Sequence, residues 1–138
     1  MLRIVVDASV AAKWILPEPG SGEAVALLGE DDVEFHAPEL WTAELTNVVW
    51  KRMRRGELTP AEAADDVRRI LDMPVERHRH DSLAEAAFVI ATTHGITVYD
   101  ALYVALARGL DAALITADSA LARCGTDDED WPVRLLGT

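Results

Sequence analysis

Short apolar runs alternate along the chain with longer segments of helical periodicity. The runs at 4–6, 33–36, 112–116 and 133–136 have the length and content of buried strands. The pattern predicts helices over 8–16, 23–28, 39–55, 82–93 and 100–108, with a further helix opening at Thr59. Short apolar strands separated by helices predict an α/β fold, in which a mainly parallel sheet is covered by helices on both faces.

The start of the helix after Gly56 is the clearest local signal in the chain. Thr59 stands at the cap position, Pro60 at the first helical position, and Glu62 completes a capping box. The segment therefore predicts a helix that begins at Pro60.

Length and charge exclude several classes of protein. The 138 residues predict one domain over 1–138, and an apolar content of 50% is enough for a packed core. The 13 basic and 24 acidic residues give a formal net charge of −11, which argues against binding of nucleic acid or anionic lipid through bulk charge. A phosphate-bearing partner must therefore be met locally or through a metal ion.

Nothing in the chain indicates an oxidising compartment or a membrane. The one cysteine, Cys124, cannot close an intrachain disulfide, and no uninterrupted apolar stretch is long enough to cross a bilayer. The apolar run at the N-terminus is interrupted by Arg3 and stopped by Asp7, unlike a signal peptide. We therefore expect a cytoplasmic protein with no membrane partner.

Two aspartates follow predicted strands directly or after one residue. Asp7 follows the run 4–6, and Asp118 lies two residues beyond the run that ends at Thr116. The carboxyl ends of strands are where open α/β sheets bind their ligands. The alternative for each residue is a helix N-cap, for which aspartate is among the best residues.

Two further acids lie on strongly apolar helical segments. Glu44 falls between Leu40 and Val48 on one helix face, and Asn47, three residues on, could share that face and hold a carboxylate or a metal-bound water. The alternative for Glu44 is an exposed salt bridge to a basic residue of a later turn. Asp100 opens an apolar helix, where a cap or a first-turn acid is the alternative.

Carboxylates brought together at strand ends repel one another unless a divalent cation neutralises them. Oxygen-only ligands suit Mg²⁺ or Mn²⁺. Zinc is disfavoured because the four histidines form no H-E-x-x-H pattern and the cysteine has no partner. The chain also contains no Walker A sequence, no G-x-G-x-x-G loop and no G-x-S-x-G elbow.

These four acids, with the residues around them, resemble the PIN-domain family, and in particular the toxin ribonucleases of bacterial VapBC toxin–antitoxin pairs. The resemblance spans nearly the whole chain. It rests on five sequence segments in this order: Val6-Asp7-Ala8-Ser9-Val10 with Lys13-Trp14, Ala37-Pro38-Glu39-Leu40 followed by Glu44-Leu45-Thr46-Asn47-Val48, Arg54-Arg55-Gly56-Glu57-Leu58-Thr59, Val98-Tyr99-Asp100-Ala101-Leu102-Tyr103-Val104-Ala105-Leu106-Ala107, and Leu114-Ile115-Thr116-Ala117-Asp118.

The resemblance implies a three-layer α/β/α PIN-like domain with a mainly parallel sheet of four or five strands. It implies an acidic pocket at the carboxyl ends of the strands, with catalytic acids at Asp7, Glu44, Asp100 and Asp118 and supporting hydroxyls at Ser9 and Thr116. Asp7 and Asp100 would hold Mg²⁺ directly, while Asp118 and Glu44 would bind through water, complete a second site or orient the nucleophile. Ser119 and Ala120 stand where some relatives carry another acid, which favours one Mg²⁺.

The implied activity is that of a metal-dependent endoribonuclease, the toxin of a toxin–antitoxin pair. The implied partners are an RNA substrate, a cognate antitoxin protein and a second copy of the chain in a homodimer. Eight of the 13 basic residues lie within 51–79. The expected contacts to RNA phosphates are four of these, with a solvated helix face as the alternative: Lys51, Arg52, Arg54 and Arg55.

Three other functions stay open at this point. A PIN-like module that binds RNA or protein without cutting would retain the fold. A metal-dependent phosphatase of the haloacid dehalogenase type normally needs Asp-x-Asp after its first strand, whereas this chain has Asp7-Ala8-Ser9. An acidic receiver domain would need a lysine near its last strand, and the sequence shows no matching signal.

Overall fold

A parallel sheet forms the centre of the molecule in the computed structural model, which describes residues 1–125 and 127–138. Within those residues it has five strands in the order β3-β2-β1-β4-β5, and every neighbouring pair is parallel. The strands are β1 (Leu2–Val6), β2 (Val33–Pro38), β3 (Val75–His78), β4 (Ala113–Thr116) and β5 (Val133–Leu135). The α/β prediction is therefore confirmed.

Helices cover the sheet in two further layers. The α-helices of the described residues are α1 (Ala8–Ile15), α2 (Ser21–Leu28), α3 (Leu40–Arg54), α4 (Pro60–Asp72), α5 (Ala84–His94), α6 (Val98–Gly109) and α7 (Ser119–Arg123). Helix α1 packs with α2, α3 and α4, whereas α5 packs with α6, which also contacts β1, β2 and β4. The result is the three-layer α/β/α arrangement expected for a parallel sheet buried on both faces.

The core is densest around the central strand and α6. Ile4, Val5 and Val6 of β1 are all buried, and so is every residue from 101 to 107 of α6. Trp14 of α1 packs edge-on against Phe35 of β2, with ring centroids 5.3 Å apart. Because β1 and α6 are both enclosed, a charged residue at the end of either one lies at the boundary of the core.

Strand β3 is the element that the apolar pattern did not predict. Its residues Val75-Glu76-Arg77-His78 are mostly polar, as an edge strand allows, so it lacks the apolar run of a buried strand. The Arg77 side chain donates hydrogen bonds to the carbonyl oxygens of Ile70, Met73 and Val75, and its guanidinium lies 4.6 Å from the Trp41 ring centroid. Arg77 thereby joins this edge of the sheet to the end of α4.

The helix starts follow local capping chemistry. The Thr59 hydroxyl accepts a hydrogen bond from the Glu62 amide at 3.1 Å, and the Thr59 amide donates to Glu62 Oε1 at 2.9 Å, which confirms the capping box. Thr97 caps α6 in a similar way, because its hydroxyl accepts from the Asp100 amide at 3.1 Å. The cap of α6 is therefore Thr97 and not Asp100.

No single helix in the described part of the chain is long and apolar enough to cross a membrane. Helices α5 and α6 meet the length and composition only when taken together, and the pair is bent by 114° at the break between them.

Replacement of the α4 cap should cost a predictable amount of stability. Thr59→Ala removes the hydroxyl that satisfies the Glu62 amide, so we expect a loss of about 1 kcal/mol in the free energy of unfolding, measured by urea denaturation. Thr59→Ser retains a capping hydroxyl and is the matched control. Equal stability of the alanine and serine variants would contradict the role assigned to this cap.

Candidate functional site

The site lies at the carboxyl ends of β1 and β4, which are neighbours in the sheet. The chain proceeds from β1 through β2 to β3 on one side of the sheet and then crosses to β4 and β5 on the other. Such a reversal of strand order opens a crevice at the carboxyl edge of the sheet. Asp7 follows β1 directly, and its amide donates to the Ile115 carbonyl at 3.0 Å, so it is held against the end of β4.

The Asp7 carboxylate accepts two hydroxyl hydrogen bonds on one oxygen. Thr116 donates to Asp7 Oδ2 at 2.6 Å and Ser9 donates to the same atom at 2.9 Å. Asp7 stands at the N-cap position of α1, as the cap alternative predicted, but its side chain makes no capping hydrogen bond of normal geometry. Burial raises the pKa of Asp7 above its usual range, and the bonds from Thr116 and Ser9 only partly oppose that shift.

The same two hydroxyls also bind the backbone beyond β4. The Asp118 amide donates to Thr116 Oγ1 at 3.0 Å, and the Ala117 amide donates to Ser9 Oγ at 3.1 Å. Thr116 is fully buried. The structure therefore brings the predicted supporting residues Ser9 and Thr116 together with Asp7, and they join the ends of the two strands.

Glu44 points toward this crevice from α3 and is held by a tyrosine. Tyr103 of α6 donates its hydroxyl to Glu44 Oε1 at 2.6 Å. Burial raises the pKa of Glu44, the charges of Asp7 and Asp100 raise it further, and the Tyr103 bond partly opposes them. The alternative of a salt bridge to a later turn is not realised, because Arg52 instead binds Glu18 at 2.7 Å.

Asp100 lies in the first turn of α6 and belongs to the same cluster of acids. Its carboxyl is half-buried, and burial raises its pKa, with smaller contributions from the charges of Asp7 and Asp118. Like charges raise each other's pKa in this way only when they are close. Asp7, Glu44, Asp100 and Asp118 therefore form one acidic cluster, as the sequence predicted.

Asp118 caps helix α7 and also belongs to the acidic cluster. It is the N-cap of α7, since its Oδ1 accepts hydrogen bonds from the amides of Ala120 at 2.9 Å and Leu121 at 3.3 Å. The cap alternative is thus confirmed for this residue. Asp118 is also exposed, which places it on the solvent side of the acidic cluster.

Asn47 and the predicted RNA-binding residues make no bond to the four acids. Asn47 is exposed, and within residues 1–125 and 127–138 it makes no hydrogen bond to an acid of the cluster. In the basic cluster at the end of α3, which comprises Lys51, Arg52, Arg54 and Arg55, Arg52 pairs with both Glu18 and Glu57. The other three members are exposed, and the Arg54 guanidinium lies 5.2 Å from the Trp50 ring centroid.

Tyr103 is a site residue that the sequence analysis did not identify. It is 2% exposed, and its pKa is raised, first by burial and then by the charge of Glu44. The available signal was its position three residues after Asp100, on the same face of α6. A buried tyrosine hydroxyl needs a hydrogen-bond partner, and here the Glu44 carboxylate accepts its hydrogen bond.

The acidic cluster lacks internal charge compensation. Among the described residues, none of its four carboxylates forms an ion pair with lysine, arginine or histidine. Its donors are all oxygens, and three of the four side chains, those of Asp7, Glu44 and Asp100, are partly buried. Carboxylate oxygens are the donors that a hard divalent cation prefers, and such an ion would offset the negative charge of the cluster.

Residues 4–126 match the family model described as PIN domain. The chain belongs to this family. The match covers the strands and helices that carry the acidic cluster of this PIN domain.

Curated relatives agree with this assignment. The PIN domain is 36% identical over 123 residues to Ribonuclease VapC3 of Pyrobaculum aerophilum. This alignment covers 88% of this chain and 93% of the relative. It is 37% identical over 122 residues to Ribonuclease VapC12 of Mycobacterium tuberculosis. This second alignment covers 87% of this chain and 90% of the relative.

A solved structure shows the same fold at low identity. The structure of VapBC2 from Rickettsia felis, bound to a DNA fragment from their promoter, aligns with a TM-score of 0.67 and 13% identity. The alignment covers 97% of this chain and 98% of that one. The resemblance to VapC-type PIN domains is therefore confirmed.

The raised pKa of Asp100 predicts how stability depends on pH in the absence of divalent ions. The folded state favours the protonated carboxyl, so this group contributes stability below its unfolded pKa of about 3.8 and loses that contribution as pH rises through the folded pKa. Asp100→Asn mimics the neutral form, and we expect it to raise the Tm of EDTA-treated protein at pH 7. The gain should shrink as pH falls toward 4.

The control for this experiment is Asp31→Asn, which alters an exposed acid in the turn before β2. Its Tm should follow that of the unmodified protein at each pH. A lower Tm for Asp100→Asn at pH 7 in EDTA would contradict the account of repulsion in the acidic cluster.

Proposed function

We propose that this PIN domain is a metal-dependent endoribonuclease, the toxin of a toxin–antitoxin pair, which hydrolyses RNA phosphodiester bonds. The observation that supports this most directly is the acidic cluster, in which Asp7 lies partly buried beside three further carboxylates without a compensating cation from the described chain. The relatives named ribonuclease VapC3 and VapC12 share more than a third of their aligned residues with it.

The proposed metal is Mg²⁺, with Mn²⁺ as an ion of the same ligand preference. Thr116 and Ser9 both bind Oδ2 of Asp7, so Oδ1 is the atom we assign to the metal. Asp100 is the second direct ligand in this proposal. Asp118 already binds two amides through Oδ1, which leaves its other oxygen for a metal-bound water.

When bound, the cation supplies Lewis-acid chemistry and lowers the pKa of a coordinated water. Glu44 is the group of the chain that we assign to orienting the attacking water and accepting its proton. A raised pKa makes a carboxylate a better base near neutral pH, and the bond from Tyr103 fixes its direction. Attack by water gives a 5′-phosphate and a 3′-hydroxyl and requires no 2′-hydroxyl nucleophile.

RNA must approach a negatively charged crevice, so cationic side chains outside it have to offset the repulsion. Lys51, Arg54 and Arg55 of the basic cluster at the end of α3 are exposed and suit this task. Arg52 contributes less, since its guanidinium already faces Glu18 and Glu57. We propose that Lys51, Arg54 and Arg55 contact RNA phosphates.

The proposed partners are an antitoxin protein and a second copy of the chain. A chain of the solved toxin-antitoxin complex from Klebsiella pneumoniae has the same fold, with a TM-score of 0.61, 13% identity and coverage of 95% of each chain. An antitoxin that covers the acidic cluster would block access of RNA. We place such a toxin in the cytoplasm, where its RNA substrates are.

Cleavage of RNA tests the proposed function. Purified protein should cut total cellular RNA into discrete fragments with Mg²⁺ and should not cut it with EDTA. Asp7→Asn and Asp100→Asn should each reduce the rate by at least about 10²-fold, the scale on which one charge-stabilising group contributes. Loss of cutting by Asp100→Asn, purified in the same way, excludes a contaminating nuclease, whereas Asp31→Asn should cut at the original rate. Full activity of Asp7→Asn or Asp100→Asn would overturn the proposal.

The salt dependence of RNA affinity tests the basic cluster. The test uses an Asp100→Asn background, which prevents cleavage. In it, the double variant Arg54→Gln with Arg55→Gln should make the fall of log affinity with log salt less steep. The expected decrease is about 0.7 per contact for single-stranded RNA. Arg3→Gln is the matched control, because Arg3 is an exposed residue at the amino end of β1. An unchanged slope in the double variant would assign these arginines to a solvated helix face.

A further inference from the structure

A second group of metal-ligating side chains lies on the edge of the sheet formed by β2 and β3. It consists of His36, Glu76 and His78, whose ligand atoms all lie within 4.8 Å of one another. The register of the two parallel strands pairs His36 with Glu76 and Pro38 with His78. All three side chains therefore project from the same face of the sheet.

The distances among the donor atoms suit a single metal ion. His36 Nδ1 lies 2.9 Å from His78 Nε2 and 3.5 Å from Glu76 Oε2. Two ligands of a tetrahedral Zn²⁺ with bonds of about 2.05 Å are about 3.3 Å apart. The three donors thus surround one position after the two imidazoles separate by a few tenths of an ångström.

A fourth side chain orients the central histidine. Glu34 Oε1 lies 2.8 Å from His36 Nε2. Because a carboxylate only accepts hydrogen bonds, Nε2 carries a proton, and Nδ1 is the ring nitrogen that faces His78 and Glu76 and is available to a metal ion. Metal-bound histidines commonly donate their other ring N–H to a carboxylate in this way.

The surroundings combine a rigid ligand with access from solvent. His36 is 3% exposed, whereas the Glu76 side chain is 66% exposed. The open side at Glu76 leaves room for a water molecule as fourth ligand.

The geometry points to a binding site for one borderline divalent transition-metal ion, with Zn²⁺ as its representative, held by His36 Nδ1, His78 Nε2 and a Glu76 carboxylate oxygen. Imidazole nitrogens favour Zn²⁺, Co²⁺ or Ni²⁺ over Mg²⁺, so this site differs in ligand preference from the acidic cluster. Without a metal ion, His36 Nδ1 and His78 Nε2 share a hydrogen bond. Metal binding replaces that hydrogen bond, and the proton between the two nitrogens moves to His78 Nδ1 or to solvent.

Occupation of this site joins the edge strand β3 to β2. A metal that binds the folded chain more tightly than the unfolded one raises stability in proportion to the logarithm of its concentration. The two strands each carry a Glu-x-His sequence, Glu34-Phe35-His36 and Glu76-Arg77-His78, and this repeated pattern supplies every side chain of the site.

Titration with Zn²⁺ in the presence of excess Mg²⁺ tests the inference without any activity assay. Tag-free protein, stripped with EDTA and dialysed, is titrated by isothermal calorimetry and melted at increasing Zn²⁺. We expect one Zn²⁺ per chain, a rise in Tm with Zn²⁺, and a visible absorption band with Co²⁺ typical of nitrogen ligands. His78→Gln should bind Zn²⁺ at least tenfold more weakly, whereas His94→Gln, which alters a histidine of α5 outside the group, should bind it normally.

Asp100→Asn separates this site from the acidic cluster and from the proposed nuclease function, because it should lose RNA cleavage yet retain Zn²⁺ binding. Glu76→Gln, which alters an exposed side chain, should also bind more weakly and serves if His78→Gln fails to fold. The inference is overturned if the unmodified protein binds no Zn²⁺ beside Mg²⁺. It is equally overturned if His78→Gln and Glu76→Gln bind Zn²⁺ unchanged, or if Asp100→Asn abolishes binding; the histidines would then be a hydrogen-bonded pair only.

Discussion

The Asp7 carboxylate lies partly buried at the end of the central strand without a basic partner among the described residues, and the rest of the site is arranged around it. Burial of a carboxylate is costly unless hydrogen bonds or a cation compensate the charge. Here two hydroxyls, from Thr116 and Ser9, supply part of that compensation on one oxygen. The same hydroxyls bind the amides of Asp118 and Ala117, so the position of the charge and the end of β4 are fixed together.

The two remaining acids reach this point through helices that pack on the sheet. Helix α6 is enclosed from 101 to 107, which fixes both Asp100 at its first turn and Tyr103 one turn later. Tyr103 in turn holds Glu44 of α3. A buried core helix thus determines the direction of two carboxylates, and the cluster is preorganised before any cation binds.

Sequence reasoning recovered most of the fold because the buried strands and the capping box are local signals. The strand β3 was missed because Glu76, Arg77 and His78 are polar, and only pairing with β2 makes them a strand. The four acids were predicted from their places beside apolar segments, whereas the hydrogen bond from Tyr103 to Glu44 depends on contacts between residues 59 positions apart. The search for zinc by H-E-x-x-H spacing could not detect His36 and His78 for the same reason, since it considers ligands on one helix and not on paired strands.

The central claim is that burial, together with mutual repulsion, raises the pKa values of Glu44 and Asp100, that burial raises the pKa of Asp7, and that a divalent cation competes with protons for these carboxylates. Calorimetric titration with Mg²⁺ at about pH 5.5, repeated in buffers of different ionisation enthalpy, measures the number of protons released on binding. The account predicts that binding of Mg²⁺ releases protons, that the number released falls as the pH is raised toward neutral, and that Asp7→Asn abolishes the release. Binding of Mg²⁺ without proton release across this range would contradict it.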